Sequence, residues 1–233
     1  MRVQGWRRRI DRGSIWSFAL ATAILAFAPA AYACAPAQVV RIVYRNISPG
    51  VPAAASEAQP RTLWRIGSSF LRSEEQPDPT TGMKTLILVS EPNIWIVNLT
   101  DRTGSHSIDP DPSGKIRAPI IPLTDVPPPF LSLEYGCEAE FVAAYAPQAQ
   151  SVRPWGDTLA ELHVLRVAEH SLAILMDSRR RTPLLISYLR SGQPLLVIRY
   201  DDHRTGLKER EDLFRPPSSV KFKEVAGDPL LER

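Results

Sequence analysis

Short apolar segments separated by turn residues are the main feature of the first half of the sequence. After a β-branched segment at 38–44, the pattern predicts strands over residues 61–67, 68–75, 84–90, 93–99 and 105–108, with turns at 77–82 and 101–104. Connections this short join only antiparallel neighbours. The sequence therefore predicts an antiparallel meander in this region.

A second group of the same kind occupies the C-terminal half. The pattern predicts strands over 158–167, 171–176, 183–189 and 194–200, with turns at 177–181 and 190–193. The polar segment 201–212 is predicted to be a loop or a short helix, and residues 220–225 a final short strand. This group predicts a second meander.

The best helix candidate lies between the two meanders, at residues 131–145. Leu133, Cys137, Phe141 and Ala144 recur there at helical spacing, although Gly136 weakens the pattern. The proline-rich segment 110–129 before it fits no regular element. Two meanders with one interposed helix predict a single α+β domain built on an antiparallel sheet.

Residues 1–33 have the three-part pattern of a secretory signal peptide. A basic start is followed by an apolar stretch of about 13 residues and by Ala31-Tyr32-Ala33, which fits signal-peptidase cleavage. The apolar stretch is shorter than the ~20 residues of a membrane span. We therefore expect export and divide the chain into a signal peptide (1–33), an N-terminal strand with a Pro/Ala linker (34–60), one β domain (61–225) and a C-terminal tail (226–233).

The net charge of +3 comes from the leader. Without residues 1–33 the chain carries 23 basic and 24 acidic residues. No basic surface stands out, which argues against a nucleic-acid partner. The longest run of like charge in this part of the chain is Arg179-Arg180-Arg181, which we interpret as a solvated hairpin turn rather than an anion site.

The chain has two cysteines, Cys34 and Cys137. Cys34 directly follows the predicted cleavage site, so it could pair with Cys137 in a disulfide in an oxidising compartment. Alternatively, Cys34 could be the lipidated first residue of a lipoprotein, although the large Tyr32 counts against this. Free thiols are the third possibility. No CxxC motif is present to support redox chemistry.

No catalytic or metal-binding motif is evident. The sequence lacks a Gly-x-Ser-x-Gly elbow, and we interpret His203, beside two aspartates, as an ion-paired surface histidine. His106, Asp109 and Asp111 are the nearest approach to a metal-ligand cluster. Asp109-x-Asp111-x-Ser113-Gly114 resembles the start of a calcium loop, but Ile120 stands where the loop requires a bidentate glutamate. We therefore predict neither an enzyme nor a bound metal or cofactor.

Several segments of residues 61–225 resemble the LolA/LolB-type superfamily of periplasmic lipoprotein carriers. The segments that carry the resemblance are Arg65-Ile66-Gly67, Arg72-Ser73-Glu74-Glu75, 93–99, Ser187-Tyr188-Leu189, Tyr200-Asp201-Asp202 and 213–220. The resemblance implies a curved antiparallel sheet, an open half-barrel around a helical plug, whose concave apolar face holds acyl chains. A shared fold does not imply that this chain carries lipoproteins.

Alternation along the strands suggests which residues could face a ligand. On the strand 93–99, Trp95 and Val97 lie on one side and Ile94 and Ile96 on the other. The candidate ligand face comprises Trp64, Phe70, Leu86, Leu88, Trp95 and Val97. The same side chains could instead be ordinary core.

The sequence thus predicts an exported, periplasmic protein that binds a hydrophobic ligand, an acyl chain or an envelope lipoprotein, without catalysis. The alternative is a structural or interaction protein of the envelope whose sheet is filled by its own side chains. In that case, a lipidated Cys34 could attach it to the membrane.

Overall fold

Strands make up most of the part of the chain that the structure describes. The computed structural model describes residues 35–109, 116–208, 210 and 212–225. The predicted signal peptide, Cys34 and the predicted C-terminal tail lie outside these residues. Within them, β-branched and aromatic segments form strands, and glycine and proline interrupt them.

Twelve strands and two helices are described in chain order. The strands are β1 Val39–Asn46, β2 Arg61–Ile66, β3 Phe70–Glu75, β4 Thr85–Ser90, β5 Asn93–Asn98, β6 Thr103–Ile108, β7 Ser151–Trp155, β8 Thr158–Val167, β9 His170–Asp177, β10 Pro183–Arg190, β11 Gln193–Leu207 and β12 Lys221–Glu224. The helices are α1 Pro128–Leu131 and α2 Glu138–Tyr145. A single 3₁₀ turn lies at Ser56–Ala58.

The twelve strands form one curved, open sheet. Their order is β12-β6-β5-β4-β3-β2-β1-β11-β10-β9-β8-β7, so the two predicted meanders are joined side by side through β1. Strand β1 pairs with β2 on one edge and β11 on the other, although the sequence-based division placed it outside the 61–225 domain. The end strands β7 and β12 do not pair with each other, so the sheet does not close into a barrel.

The predicted helix over 131–145 is wrong in its first half. Helix α1 ends at Leu131 and α2 begins at Glu138. The interval between them contains Gly136 at φ = +90°, a left-handed conformation that interrupts a helix and that glycine adopts at little cost. Glu134 there forms an isolated bridge with Pro119 instead.

Two further predictions differ from the structure. Strand β7 was not predicted, and the segment predicted as a loop or short helix from 201 onward continues β11 as far as Leu207. The aspartates of this extension face arginines on β1, with Asp201 bound to Arg45 and Asp202 to Arg41. Cross-strand ion pairs therefore allow a polar sequence to stay in the sheet.

The main core lies on one face of the sheet. Leu63, Leu71, Val89 and Ile94 from the first meander share a buried cluster with side chains of β9, β10 and β11. The segment 118–126, both helices and the interval between them cover this face, contributing Phe130, Leu133, Phe141 and Val142 among others. The predicted arrangement of an antiparallel sheet with helical structure between its two meanders is therefore confirmed in outline.

A buried ion pair attaches the helical layer to the sheet. Arg65 of β2 and Glu134 are 0% and 1% exposed, and Arg65 Nη1 donates a hydrogen bond of 2.8 Å to Glu134 Oε2. Arg65 also donates to the carbonyl oxygens of Tyr135 and Ile116, and Arg117 Nε donates to Glu134 Oε1. A buried pair with these additional hydrogen bonds ties three segments together.

We predict that Glu134→Ala lowers the free energy of unfolding by about 3–5 kcal/mol, because it leaves the Arg65 guanidinium buried without its counter-ion. The double variant Arg65→Met/Glu134→Leu should lose less than the single variant, since it removes both charges. Urea denaturation at neutral pH measures both changes. As a control, Arg204→Ala removes a solvent-exposed pair with Asp202 and should cost less than about 1 kcal/mol. Equal losses in the buried and exposed variants would contradict the prediction.

Candidate ligand-binding site

The strand register places all six predicted ligand-face residues on one face of the sheet. One row of directly opposed residues crosses β1 to β6 and consists of Arg41, Trp64, Arg72, Leu88, Trp95 and His106. Leu86 and Val97 oppose each other in a neighbouring row, and Phe70 lies two residues before Arg72 on β3. We call this side, opposite the helices, the outer face.

Three of the six predicted residues are fully covered by the chain itself. Leu86, Leu88 and Val97 are each 0% exposed and form a second apolar cluster, against which Val220 and Phe222 pack. Phe222 lies over Gly104, where an added Cβ would stand 3.0 Å from its ring and 2.7 Å from the Ile96 carbonyl oxygen. The C-terminal segment therefore occupies the apolar surface at this end of the outer face.

Polar contacts hold the C-terminal strand in place. His106 contacts Glu224 on β12 through Nδ1 at 2.8 Å and Asn93 through Nε2 at 2.9 Å, and its ring stacks on Trp95 with 5.2 Å between centroids. The predicted ligand-face residue Trp95 therefore packs against the histidine that holds β12. Asp111, which belongs with His106 to the candidate metal-ligand cluster, lies outside the described residues.

Trp64 lies in an open cleft on the outer face. The cleft has a volume of about 570 Å³ and is bounded by Trp64, Arg72 and Glu74 on the sheet and by residues of 210–218 opposite them. The guanidinium carbons of Arg41 and Arg72 lie 5.8 and 5.7 Å from the Trp64 ring centroid. This arrangement places an aromatic surface between two cations.

The far wall of the cleft is attached to the sheet at two points. Arg72 Nη1 donates a 2.9 Å hydrogen bond to the Leu213 carbonyl oxygen, and Phe214 packs against Phe70 with 5.5 Å between ring centroids. Phe70 is 36% exposed, the largest exposure among the large apolar residues of the outer face near the cleft. Trp64 therefore lines the cleft and Phe70 contacts the segment that forms its far wall, whereas Leu86, Leu88 and Val97 do not line it.

Sequence reasoning missed a buried polar cluster on the opposite face. Tyr200 donates a 2.7 Å hydrogen bond to Glu138 Oε1, and the backbone N–H of Gly136 donates to Glu138 Oε2. His203 was interpreted as a surface histidine, but its side chain is 7% exposed and its Nε2 lies 3.6 Å from Glu138 Oε2. The pairing of β11 with β1 has a register irregularity between Tyr200 and His203. This irregularity turns His203 inward, away from Asp201, so the prediction of a surface histidine was wrong.

Burial controls the titration of the tyrosines around this carboxylate. Desolvation raises the pKa of Tyr200 well above its ordinary value of 10.0, and the charge of Glu138 acts in the same direction. Burial also raises the pKa of Tyr135 well above 10.0, with a further contribution from neighbouring Tyr44. The cluster joins α2 to β11 and opens into none of the described clefts, so we assign it a structural role.

The remaining predictions concern the cysteines, a metal site and a membrane span. They include no free cysteine, and Cys137 precedes α2, but its predicted disulfide partner Cys34 lies outside them, so the pairing stays a prediction. No group of three or more potential metal ligands occurs within the described ranges. No helix among those residues has the length and apolar character of a membrane span.

Comparison with known proteins identifies similar structures but no family. No family model and no curated protein matches the chain. An uncharacterized conserved protein of Thermus thermophilus is 12% identical with a TM-score of 0.44, over 81% of this chain and 91% of that one. MucB in the Pseudomonas aeruginosa MucA/MucB complex is 12% identical with a TM-score of 0.42, and the match covers 81% of this chain but only 59% of that chain.

A third similar structure comes from Vibrio parahaemolyticus. A Vibrio parahaemolyticus domain, described as a candidate outer membrane lipoprotein-sorting protein, is 11% identical with a TM-score of 0.31, over 76% of this chain and 89% of that one. TM-scores below 0.5 at such low identity establish neither family membership nor function for this chain.

We predict that the free energy of unfolding decreases as pH rises above about 10, because Tyr135 and Tyr200 stay protonated in the folded state after the unfolded tyrosines have begun to ionise. Each such tyrosine adds up to about 1.4 kcal/mol per pH unit to this slope. Tyr200→Phe should therefore show a shallower slope, in addition to a loss of about 1.5–3 kcal/mol at neutral pH from its missing hydrogen bond. Denaturation with urea across this pH range tests both, and an unchanged slope would contradict the assignment.

Proposed function

We propose that this chain is a non-catalytic binding protein of the cell envelope that holds an amphiphilic ligand with an acyl chain in the Trp64 cleft. The observation that carries the proposal is the cleft itself, in which an aromatic ring between two guanidinium groups faces the segment containing Leu213 and Pro216. Its volume of about 570 Å³ is in the range of small-molecule sites.

The composition of the cleft supports a ligand with an apolar body and an anionic end. Trp64, Leu213, Pro216 and Pro217 provide apolar contact area. Arg72 already contacts Glu74 and the Leu213 carbonyl oxygen, but a guanidinium group has five N–H donors and can bind a carboxylate or phosphate oxygen as well. The resemblance of residues 61–225 to LolA/LolB-type carriers favours an acyl chain as the apolar part.

A second candidate is a structural or interaction protein of the envelope. It is favoured by the second apolar cluster, in which Val220 and Phe222 cover Leu86, Leu88 and Val97 completely and leave no space for a ligand. Under this alternative the Trp64 cleft binds no small molecule, and the chain acts through its surface.

The proposed compartment is the periplasm, since residues 1–33 have the pattern of an export signal. We propose a Cys34–Cys137 disulfide in preference to lipidation because Tyr32 fits poorly before a lipidated cysteine. A bridge that closes a loop of this length can contribute up to about 4 kcal/mol. A soluble carrier of acyl chains also requires an unanchored N-terminus.

We predict that dansyl-undecanoic acid binds the leaderless chain with one saturable site and that Trp64→Ala raises its Kd about 30-fold. The reason is the loss of an aromatic contact that contributes about 2 kcal/mol to the binding free energy. The increase in dansyl emission on titration measures both affinities.

The matched control is Trp155→Ala, which removes a tryptophan on β7, at the far edge of the sheet from β6 and β12. This variant should bind the probe as the wild type does. Absence of saturable binding to the wild type would favour the structural alternative, and equal losses in the two variants would place the probe outside the cleft.

We predict that the protein recovered from its native envelope has an intact mass starting at Cys34 and two hydrogens below the fully reduced value. Denaturation and reduction should add those two hydrogens and release no covalent lipid. A diacylglycerol-sized mass on Cys34 would instead identify a membrane-anchored lipoprotein and overturn the soluble-carrier form of the proposal.

A further inference from the structure

Two hairpin turns are hydrogen-bonded to each other at one corner of the sheet. Strand β7 is the free edge, and Gly156 and Asp157 connect it to β8. The Ser178 N–H of the β9–β10 turn donates a 2.9 Å hydrogen bond to the Leu159 carbonyl oxygen, and Thr158 Oγ1 donates to Asp177 Oδ2 at 3.0 Å. We call residues 151–159 and 177–181 the arginine tip.

The arginine tip exposes large apolar side chains on both sides of the sheet. Val152, Trp155 and Leu159 are 58%, 38% and 54% exposed. Leu159 is paired directly with Pro154 and so shares a side with Val152, whereas Trp155 points to the opposite side. Every residue of β7 is exposed, so this apolar surface is open to solvent in the described part of the chain.

The same corner carries exposed basic side chains that form no salt bridge with the described residues. Arg153, Arg179 and Arg180 are exposed and form no salt bridge with any described residue, while Arg181 is paired with Glu161. The carboxylate of Asp177 is directed inward to the N–H groups of Arg179 and Arg180, which lowers its pKa and keeps it ionised at neutral pH. Asp157 is the one exposed carboxylate of the tip.

We propose that the arginine tip is a docking site for an anionic lipid bilayer. Guanidinium groups bind phosphate oxygens in a bidentate manner, and tryptophan favours the boundary between headgroups and acyl chains. Arg153, Arg179 and Arg180 would contact lipid phosphates while Val152, Trp155 and Leu159 enter the boundary region. The tip would thereby bring the sheet to the membrane surface without a spanning segment.

The geometry favours a lipid surface over a protein partner. A protein that covers the apolar surface would have to clamp both sides of the β7–β8 hairpin, whereas the lipid boundary surrounds an inserted edge on all sides. Strand addition to β7 is also hindered, because Pro154 has no N–H to donate to an added strand. The partner is therefore inferred from side-chain chemistry rather than from backbone pairing.

The test is cosedimentation of the leaderless chain, residues 34–233, with vesicles of phosphatidylglycerol and phosphatidylcholine or of phosphatidylcholine alone. We expect binding to the anionic vesicles only, weakened by added salt. The triple variant Arg153→Gln/Arg179→Gln/Arg180→Gln should bind roughly 100-fold more weakly, since each arginine near an anionic surface contributes about fivefold. The blue shift of tryptophan emission on binding should be absent from Trp155→Phe.

A triple variant of matched charge, Arg102→Gln/Lys221→Gln/Lys223→Gln, alters exposed residues at the opposite edge of the sheet and serves as the control. It should bind anionic vesicles like the wild type, and urea denaturation should show that both triple variants remain folded. Failure of the wild type to bind anionic vesicles overturns the proposal. Equal loss in both triple variants also overturns it, because diffuse charge rather than the tip would then be responsible. Neither outcome bears on the Trp64 cleft, which the binding of dansyl-undecanoic acid tests separately.

Discussion

The pairing of β1 with both β2 and β11 is the constraint on which the rest of the molecule depends. It converts two separate meanders into one sheet and aligns Arg41 beside Trp64 on the outer face. On the other face it brings Ile42 into the same core as side chains of β9, β10 and the helices. Because strand pairing of period two assigns every side chain to a face, this one register decides which residues can form the cleft and which form the core.

The two faces then differ in how they are covered. The helical layer is attached by the buried Arg65–Glu134 pair and by Glu138, which accepts a hydrogen bond from Tyr200. Within the described part of the chain, the outer face is covered at one end, by the C-terminal segment through Phe222 and Phe214. The Trp64 cleft lies between that segment and strands β2 and β3 of the sheet.

Much of the strand pattern could be predicted from sequence, because β-branched residues and short turns determine it locally. Residues 93–98 and 183–190 are examples in which both strand and turn agree with the structure. The extension of β11 to Leu207 could not be predicted in this way, since its aspartates become favourable only opposite arginines of β1, more than a hundred residues earlier. The break between α1 and α2 depends likewise on one glycine and on the contacts of Glu134.

The candidate site shows the same division between local and distant information. Alternation along β2 to β5 was sufficient to group Trp64, Phe70 and Trp95 on one face with the three aliphatic residues. It could not indicate that Phe222 would cover those aliphatic residues, because that contact depends on a parallel strand added from the far end of the chain. An apolar surface required by the chain's own packing and one available to a ligand have the same sequence pattern, and only the path of the C-terminal segment separates them. The segment 212–225 that covers the apolar cluster at one end therefore also bounds the open cleft at the other, so that packing of the outer face and the shape of the cleft depend on the same fourteen residues.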